Sequence, residues 1–484
     1  MVKYSNVLRK RGIVSMRALL TGNGVNIEFG GKDYFNTWIL VRLLANVKRG
    51  KYNVLFSNRI SAEELVGILN GFVDIANRII LNGYDELVKA EKDYDELILA
   101  VNDFKRRYKN QVRYPDQIGI EDWLLLVRLY FIDFKMNFDD YIAVKQGFQQ
   151  LFLDAIWNDG HLQKICNIMR DIKGVKKAFS DFDCLFTLNY DNNLENLTGK
   201  SVCHLHGDFC VLADSENPNT VWGNLRIKNK ERIDIPVVFK HCYCNALMEY
   251  SGELKLRQAD NNAQSNKMFD EILELQQRDA DLCAEKISRF KNMCKFSIVP
   301  KGYEHILAHK IENKHLKGFS EYYFDDFKTF EGQLSIIGIA SNNDSHVFSI
   351  IQEGIDSGRL TKVIYYYHDA EGSVPELPIV GACIEKKSVV EFWSGFYRKA
   401  KKNPQNKSIR CNNTKVPFYT AIAIYEAMEY ELANEKYRKT YHKEQGGEWL
   451  KTFRDFSRTI TCNAIPPEDL LFLYFEMKNK YGTL

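Results

Sequence analysis

The chain has 484 residues, of which 45% are hydrophobic and 27% are charged, proportions typical of soluble globular proteins. This length corresponds to about three domains of roughly 150 residues each, and the composition excludes disordered, collagen-like and small disulfide-stapled proteins. Lys and Arg number 66 against 63 Asp and Glu, a formal net charge of +3. A protein that coats nucleic acid along its whole length would be far more basic.

No secretory signal or membrane segment is predicted. Residues 1–11 are charged and lack the apolar core and cleavage site of a signal peptide. The longest apolar run, residues 123–134, is about half of a membrane span and is interrupted by Arg128 and Asp133. Eleven cysteines in such a chain indicate reduced thiols, so we expect a cytoplasmic protein without a disulfide framework.

Short apolar runs predict the buried strands of a parallel sheet. The first ends in a tight glycine turn, after which a helix is expected, and a later helix over 345–355 separates two runs as in a βαβ unit. In open parallel sheets, ligands bind where the carboxyl ends of the strands meet the following loops. The sequence therefore predicts an α/β, Rossmann-like fold, with strands at 17–21, 184–188, 201–205, 334–339 and 363–367.

Between the first and second predicted strands, apolar residues recur mainly at the spacing of helices. Ser61 and Glu64 have the spacing of a capping box, and apolar residues follow at intervals of three and four. We expect residues 1–384 to form a nucleotide-binding domain with a helical insertion at about 58–175. Residues 385–484 are expected to form a basic C-terminal helical domain.

The C-terminal hundred residues carry a different charge from the rest. From residue 385 onward, 18 Lys and Arg face 12 Asp and Glu, and Glu391 is the only acidic residue between 386 and 415. Nucleic-acid binding by 386–415 is one interpretation. The other is ordinary solvated surface with its aromatic residues packed in a core.

The glycine turn offers bare backbone amides. Gly22, Asn23, Gly24 and Asn26 stand where a Rossmann-like sheet binds a pyrophosphate, and glycine allows close approach of a ligand. The third glycine of the dinucleotide fingerprint is missing. A tight strand-to-helix turn without a ligand is therefore the alternative.

Polar residues also follow the second and third strands. Asn189 and Asp191 are two positions apart and would face the same side, although an Asx-turn that caps the next segment would use the same residues. His204 and His206 also fall on one face, but no third ligand is suggested nearby, so no metal site is predicted. His206 precedes Gly207, which leaves room for a substrate beside the imidazole.

The order of these motifs resembles the sirtuin family, which binds NAD on a Rossmann-like sheet. The matching segments are Gly22-Asn23-Gly24, Thr187-x-Asn189-x-Asp191, His206-Gly207 and Gly338-x-x-Ser341-x-x-Asp344. The helical insertion and Trp222-Gly223 look more narrowly like bacterial sirtuin-like defence proteins of the AbiH-type abortive-infection branch. The paired Cys-x-x-Cys zinc ribbon of deacylating sirtuins is missing from the sequence, so no zinc is expected.

The resemblance implies an NAD glycohydrolase that depletes cellular NAD during phage infection. Asn189 would orient the ribose and the attacking water, Asp191 would hold the nicotinamide carboxamide, and His206 would act as general base. The glycine loop and Asn26 would hold the pyrophosphate. The adenosine side would be bound by Ser341, Asn342 and Asp344.

The resemblance also implies control of this activity by assembly. A homo-oligomer, a HerA-type ATPase partner or a phage-protein trigger would each fit, and no membrane partner is expected. The alternatives are a non-catalytic module that senses NAD or ADP-ribose, and an ADP-ribosyltransferase.

Overall fold

The computed structural model describes 15–30, 34–56, 58–81, 83–84, 88, 94–112, 117–133, 138–168, 176–177, 179–210, 227–228, 231–232, 237–248, 250–294, 319–341, 343–368 and 374–397. Asn342, Trp222-Gly223 and residues 398–484, which hold most of the predicted C-terminal domain and of the basic stretch, lie outside these residues. The described residues belong to two compact units. The sheet unit comprises those of Met1–Gly31 and Trp157–Lys401, and the helical unit those of Lys32–Ile156.

The sheet unit is built on six parallel strands. The strands in chain order are β1 (Arg17–Thr21), β2 (Cys184–Thr187), β3 (Cys203–His204), β4 (Ile227–Lys228), β5 (Glu231–Arg232), β6 (Gly332–Ile337), β7 (Leu360–Tyr367) and β8 (Ile384–Ser388). The short strands β4 and β5 pair with each other in an antiparallel ribbon. The parallel sheet has the order β3-β2-β1-β6-β7-β8, which is the doubly wound order of Rossmann-like folds.

The predicted α/β fold with a parallel sheet is thus confirmed. The strand order reverses between β1 and β6, and such a switch point opens a crevice at the carboxyl ends of the strands. The sheet also extends further than predicted, because β8 spans the boundary expected at 385 and a helix follows it to Tyr397.

The helices in chain order are α1 (Asn23–Gly30), α2 (Asn36–Lys48), α3 (Ala62–Ile80), α4 (Tyr94–Arg107), α5 (Trp123–Asp133), α6 (Phe138–Trp157), α7 (Ile165–Ile168), α8 (Asn193–Thr198), α9 (Glu253–Arg278), α10 (Ala280–Cys294), α11 (Phe324–Lys328), α12 (Ser345–Asp356) and α13 (Val389–Tyr397). Short 3-10 turns cover Asn53–Phe56, Ile120–Asp122, Leu162–Lys164 and Val237–Cys242. Within the described part of the chain, no helix combines the length and the apolar character needed to cross a membrane.

Both faces of the parallel sheet are buried. Along β1, Ala18 and Leu20 belong to one apolar cluster, whereas Leu19 between them belongs to the other. Because successive side chains of a strand point to opposite faces, this alternation shows that helices cover the sheet on both sides.

The helical unit contains the predicted capping box. The Ser61 side chain accepts from the Glu64 backbone amide, and the Glu64 carboxylate accepts from the Ser61 amide. The helix that begins there, α3, buries an apolar face in which Phe72 lies edge-on to Trp123 of α5. The unit begins earlier than the insertion expected at 58–175, because α2 belongs to it.

Candidate functional site

The turns after β1 and β6 cross at the switch point, backbone against backbone. The amide of Gly22 donates to the Ile337 carbonyl at 3.0 Å, and that of Gly24 donates to the Gly338 carbonyl at 2.9 Å. A Cβ on Gly24 would lie 2.5 Å from the Gly338 Cα, and Gly338 itself has a φ of +72°. Only glycines fit this crossing. The amides of Gly22 and Gly24, two of those in the loop predicted to hold a pyrophosphate, therefore bond within the fold, as the ligand-free alternative expects.

Asn26 and Asp191 bond to each other. The Asn26 Nδ2 atom donates to Asp191 Oδ2 at 2.6 Å, and the backbone and side-chain amides of Asn193 donate to Asp191 Oδ1. Burial raises the pKa of Asp191, partly offset by the hydrogen bonds from Asn26 and Asn193. Asp191 thus forms the Asx-turn that begins α8, the second of the two interpretations of this motif.

Asn189 lies between the ends of β1 and β2. Its backbone amide donates to the Thr187 hydroxyl at 3.0 Å, and its Nδ2 atom donates to the Gly22 carbonyl at 3.2 Å. The same hydroxyl of Thr187 meets that of Thr21 at 2.8 Å. These contacts hold Asn189 at the carboxyl edge of the sheet, next to the glycine crossing.

The two histidines after β3 have different partners. His204 contacts the Asn189 carbonyl through Nδ1 at 2.9 Å and the Glu195 carboxylate through Nε2 at 2.7 Å. Burial alone lowers the pKa of His204, but the hydrogen bond to Glu195 and the nearby charge of Asp208 outweigh it, so the pKa is raised. His204 therefore supports the Asn189 loop, and the pair with His206 weighed from the sequence is not formed.

His206 lies instead in a cluster of buried side chains. Its Nε2 atom is 3.0 Å from Nε2 of His346, the second residue of α12. Its Nδ1 atom is 3.3 Å from the Lys255 Nζ atom. The exposures of His206, His346 and Lys255 are 1%, 0% and 0%. Both ring nitrogens of His206 thus have protein partners, and a substrate can use this imidazole only by replacing one of them.

The turn between β6 and α12 supplies the last predicted residues. Asp344 is the N-cap position of α12, and its side chain makes no capping hydrogen bond to that helix. One ligand atom from each of His206, His346 and Asp344 fits within a set no more than 4.8 Å across. Ser341 lies in the same turn, and Asn342 is outside the described residues.

Sequence reasoning missed His346 and Lys255. His346 follows Asp344 by two residues in a predicted strand-turn-helix segment, so its place at the carboxyl edge could have been found. Lys255 lies near the start of α9, far along the chain from the motifs, and no local pattern connects it with His206.

The structure therefore brings Asn189, His206 and Asp344 to one edge of the sheet from three different strand ends. Imidazole, carboxylate and amide groups at the carboxyl edge of a parallel sheet can bind polar ligands and transfer protons. No family model, no curated protein and no solved structure matches this chain significantly.

Proposed function

We propose that this protein hydrolyses the bond between nicotinamide and ribose in NAD, with His206 as the proton acceptor. The single observation that carries the proposal is that the adjacent parallel strands β2 and β3 lead into Asn189 and His206 at the carboxyl edge of a doubly wound sheet. Dinucleotides bind at such points in other proteins. The similarity of the motif order to sirtuins supplies the choice of NAD.

Hydrolysis needs few groups. The carbon–nitrogen bond breaks through an oxocarbenium-like state, the nicotinamide leaves with the bonding pair, and a water oxygen forms the new bond to the ribose carbon. A positioned base accepts the proton of that water, a role worth about 10²- to 10⁴-fold in rate. In the proposal His206 is that base. Its Nε2 atom first loses its contact with His346 and then faces the substrate. Asn189 orients the ribose and the water.

The roles of the remaining residues follow their contacts. Both carboxylate oxygens of Asp191 accept hydrogen bonds within the protein, so we assign Asp191 and Asn26 to positioning the turns rather than to holding nicotinamide and pyrophosphate. Ser341 and Asp344 remain the proposed contacts on the adenosine side. Assembly with further copies or with a partner protein would keep the activity from harming the host cell.

The proposal is tested by the NAD content of bacteria that produce the protein, measured by mass spectrometry with and without phage challenge. We expect NAD to fall and nicotinamide and ADP-ribose to rise in cells with the intact chain. Cells with His206→Asn, at equal soluble expression, should keep their NAD, whereas His161→Asn changes an exposed histidine and should behave as the intact chain. Unchanged NAD in every condition would contradict the proposal.

A second candidate, a module that senses NAD or ADP-ribose without cleaving it, is favoured by the enclosure of His206 between Lys255 and His346. The two functions differ in one readout. A sensor binds the nucleotide and returns it unchanged, whereas the hydrolase releases nicotinamide, and an ADP-ribosyltransferase leaves ADP-ribose on an acceptor.

A further inference from the structure

The cluster of His206, His346 and Asp344 has the composition of a metal site. Two imidazole Nε2 atoms face each other at 3.0 Å, and a carboxylate oxygen lies within the same 4.8 Å set of ligand atoms. Two imidazoles bound tetrahedrally to zinc at its usual bond lengths hold their nitrogens about 3.3 Å apart. A shift of a few tenths of an ångström would therefore bring these two nitrogens to the separation that they have around a bound zinc ion.

The surroundings of the cluster suit an enclosed ion. His206 and His346 are almost fully buried, and the Phe324 ring lies 6.3 Å from one imidazole and 5.9 Å from the other. Apolar residues around a metal restrict water and fix the orientation of its ligands. Imidazole with carboxylate selects first-row transition metals such as zinc over magnesium or calcium, which prefer oxygen ligands alone.

Two positive features oppose a cation at this place. Lys255 reaches His206 Nδ1, and α12 directs its N-terminus, with its partial positive charge, to the cluster. The Asp344 carboxylate offsets both.

We propose that His206, His346 and Asp344 form a binding site for one divalent first-row transition-metal ion. The site is distinct from a cysteine zinc ribbon, and it leaves a fourth position for water or a ligand oxygen. Metal binding and proton acceptance both need the Nε2 lone pair of His206, so each excludes the other. The metal site itself does not depend on the proposed glycohydrolase function. Only the next consequence rests on that function: the bound ion inhibits the enzyme.

The binding test uses the full-length chain, freed of metal by chelation and titrated with Co²⁺. We expect one equivalent to produce the weak visible bands of four- or five-coordinate cobalt, without the intense near-ultraviolet band of a thiolate ligand, and Zn²⁺ to abolish them. Asp344→Asn removes the anionic ligand but keeps both the volume and the N-cap preference. It should weaken binding by more than about tenfold, the lower range for losing even a supporting residue.

Matched variants locate the site. His346→Asn should abolish the bands, and His204→Asn, which removes a neighbouring buried histidine outside the cluster, should retain them. Lys255→Met should tighten binding, since it deletes a cation beside His206. Absence of stoichiometric binding, a thiolate spectrum, or binding that Asp344→Asn and His346→Asn leave unchanged would overturn the proposal.

The activity arm separates this inference from the proposed function. Zn²⁺ should suppress nicotinamide release by the intact chain, and His346→Asn, which removes a metal ligand outside the proposed substrate contacts, should require at least about tenfold more Zn²⁺ for the same fractional suppression. Cobalt binding without any NAD cleavage would refute the glycohydrolase and leave the metal site standing. NAD cleavage by a chain that binds no cobalt would refute the metal site alone.

Discussion

Two groups of buried polar residues at the carboxyl edge of the sheet differ in what they contact. Asn26, Asp191 and Asn189 bond to backbone groups or amides of the surrounding turns. His206 and His346 instead face each other, with an aspartate and a lysine side chain beside them. The first group shows that the residues of a motif can serve to hold the turns of the fold in place. The second group is where the chemistry of a ligand or a proton is to be sought.

The largest effect is expected at Asn189, whose side chain bonds to the glycine crossing at the carboxyl edge of the sheet. Asn189→Ala should reduce NAD turnover by about 10²-fold or more, because misplacing a reacting group by about 1 Å costs this much. NAD binding, measured by calorimetry, should persist. Asn196→Ala removes an exposed asparagine of α8 and serves as the control. Turnover undiminished in Asn189→Ala would remove Asn189 from the site.

The glycine crossing predicts the largest loss of stability. In Gly24→Ala the new Cβ would lie 2.5 Å from the Gly338 Cα, so the two turns must separate, at a cost of about 1–3 kcal/mol or more. Gly67→Ala, with nothing within 4 Å of its Cβ in α3, should stabilise by about 0.5–1 kcal/mol. Urea denaturation of both variants checks this, and equal effects of the two substitutions would contradict the crossing.

The raised pKa of Asp191 predicts how its contribution to folding stability changes with pH. The change has the opposite sign to that of a carboxylate in a surface ion pair. Since its folded-state pKa lies above the ordinary value of 3.8, the native state holds its proton longer than the unfolded chain does. The contribution of Asp191 is thus most favourable below pH 3.8 and is lost as the pH rises through the raised pKa. The stability of the natural chain relative to Asp191→Asn should therefore fall with rising pH in this range. A relative stability that rises with pH would contradict the burial of this carboxyl.

The smallest effect is expected at Glu195, whose side chain is partly exposed. The raised pKa of His204 means that its ion pair stabilises fully below the ordinary value of 6.5 and is lost as the pH rises through the raised pKa. Glu195→Gln should cost about 1 kcal/mol near pH 6, after allowance for solvent screening, and less at higher pH. Thermal melts over a pH series measure this, and a cost that increases toward alkaline pH would be inconsistent with the pair.

The sequence predicts the buried strands well and the edge of the sheet poorly. β1 is predicted at 17–21 and observed at Arg17–Thr21, because a short apolar run that ends in a tight glycine turn has one interpretation. β8 was not expected, since Ile384–Ser388 is an edge strand rich in charged residues. Charged side chains are common on edge strands, where they oppose further pairing, so the apolar pattern that identifies a strand is lost there.

For the candidate site, residue types and their order along the chain predict where the side chains lie, but not which groups they contact. His206 and Asp344 were expected at the carboxyl edge and lie there, yet Asn26 and Asp191 bond to each other rather than face a crevice. Such pairing depends on side-chain directions that only the folded turns define. Lys255 is the extreme case, because α9 is mostly polar and carries no signal that one of its lysines is buried against a histidine.

The central claim is tested most directly by nicotinamide release from NAD with the purified full-length chain, followed by chromatography of both products. The account predicts equimolar nicotinamide and ADP-ribose from the intact chain and from His161→Asn, and at least about 10²-fold slower release from a folded His206→Asn. Release that is equally fast in His206→Asn would contradict the role given to this histidine. NAD that binds and is recovered intact from the unmodified chain would contradict hydrolysis itself.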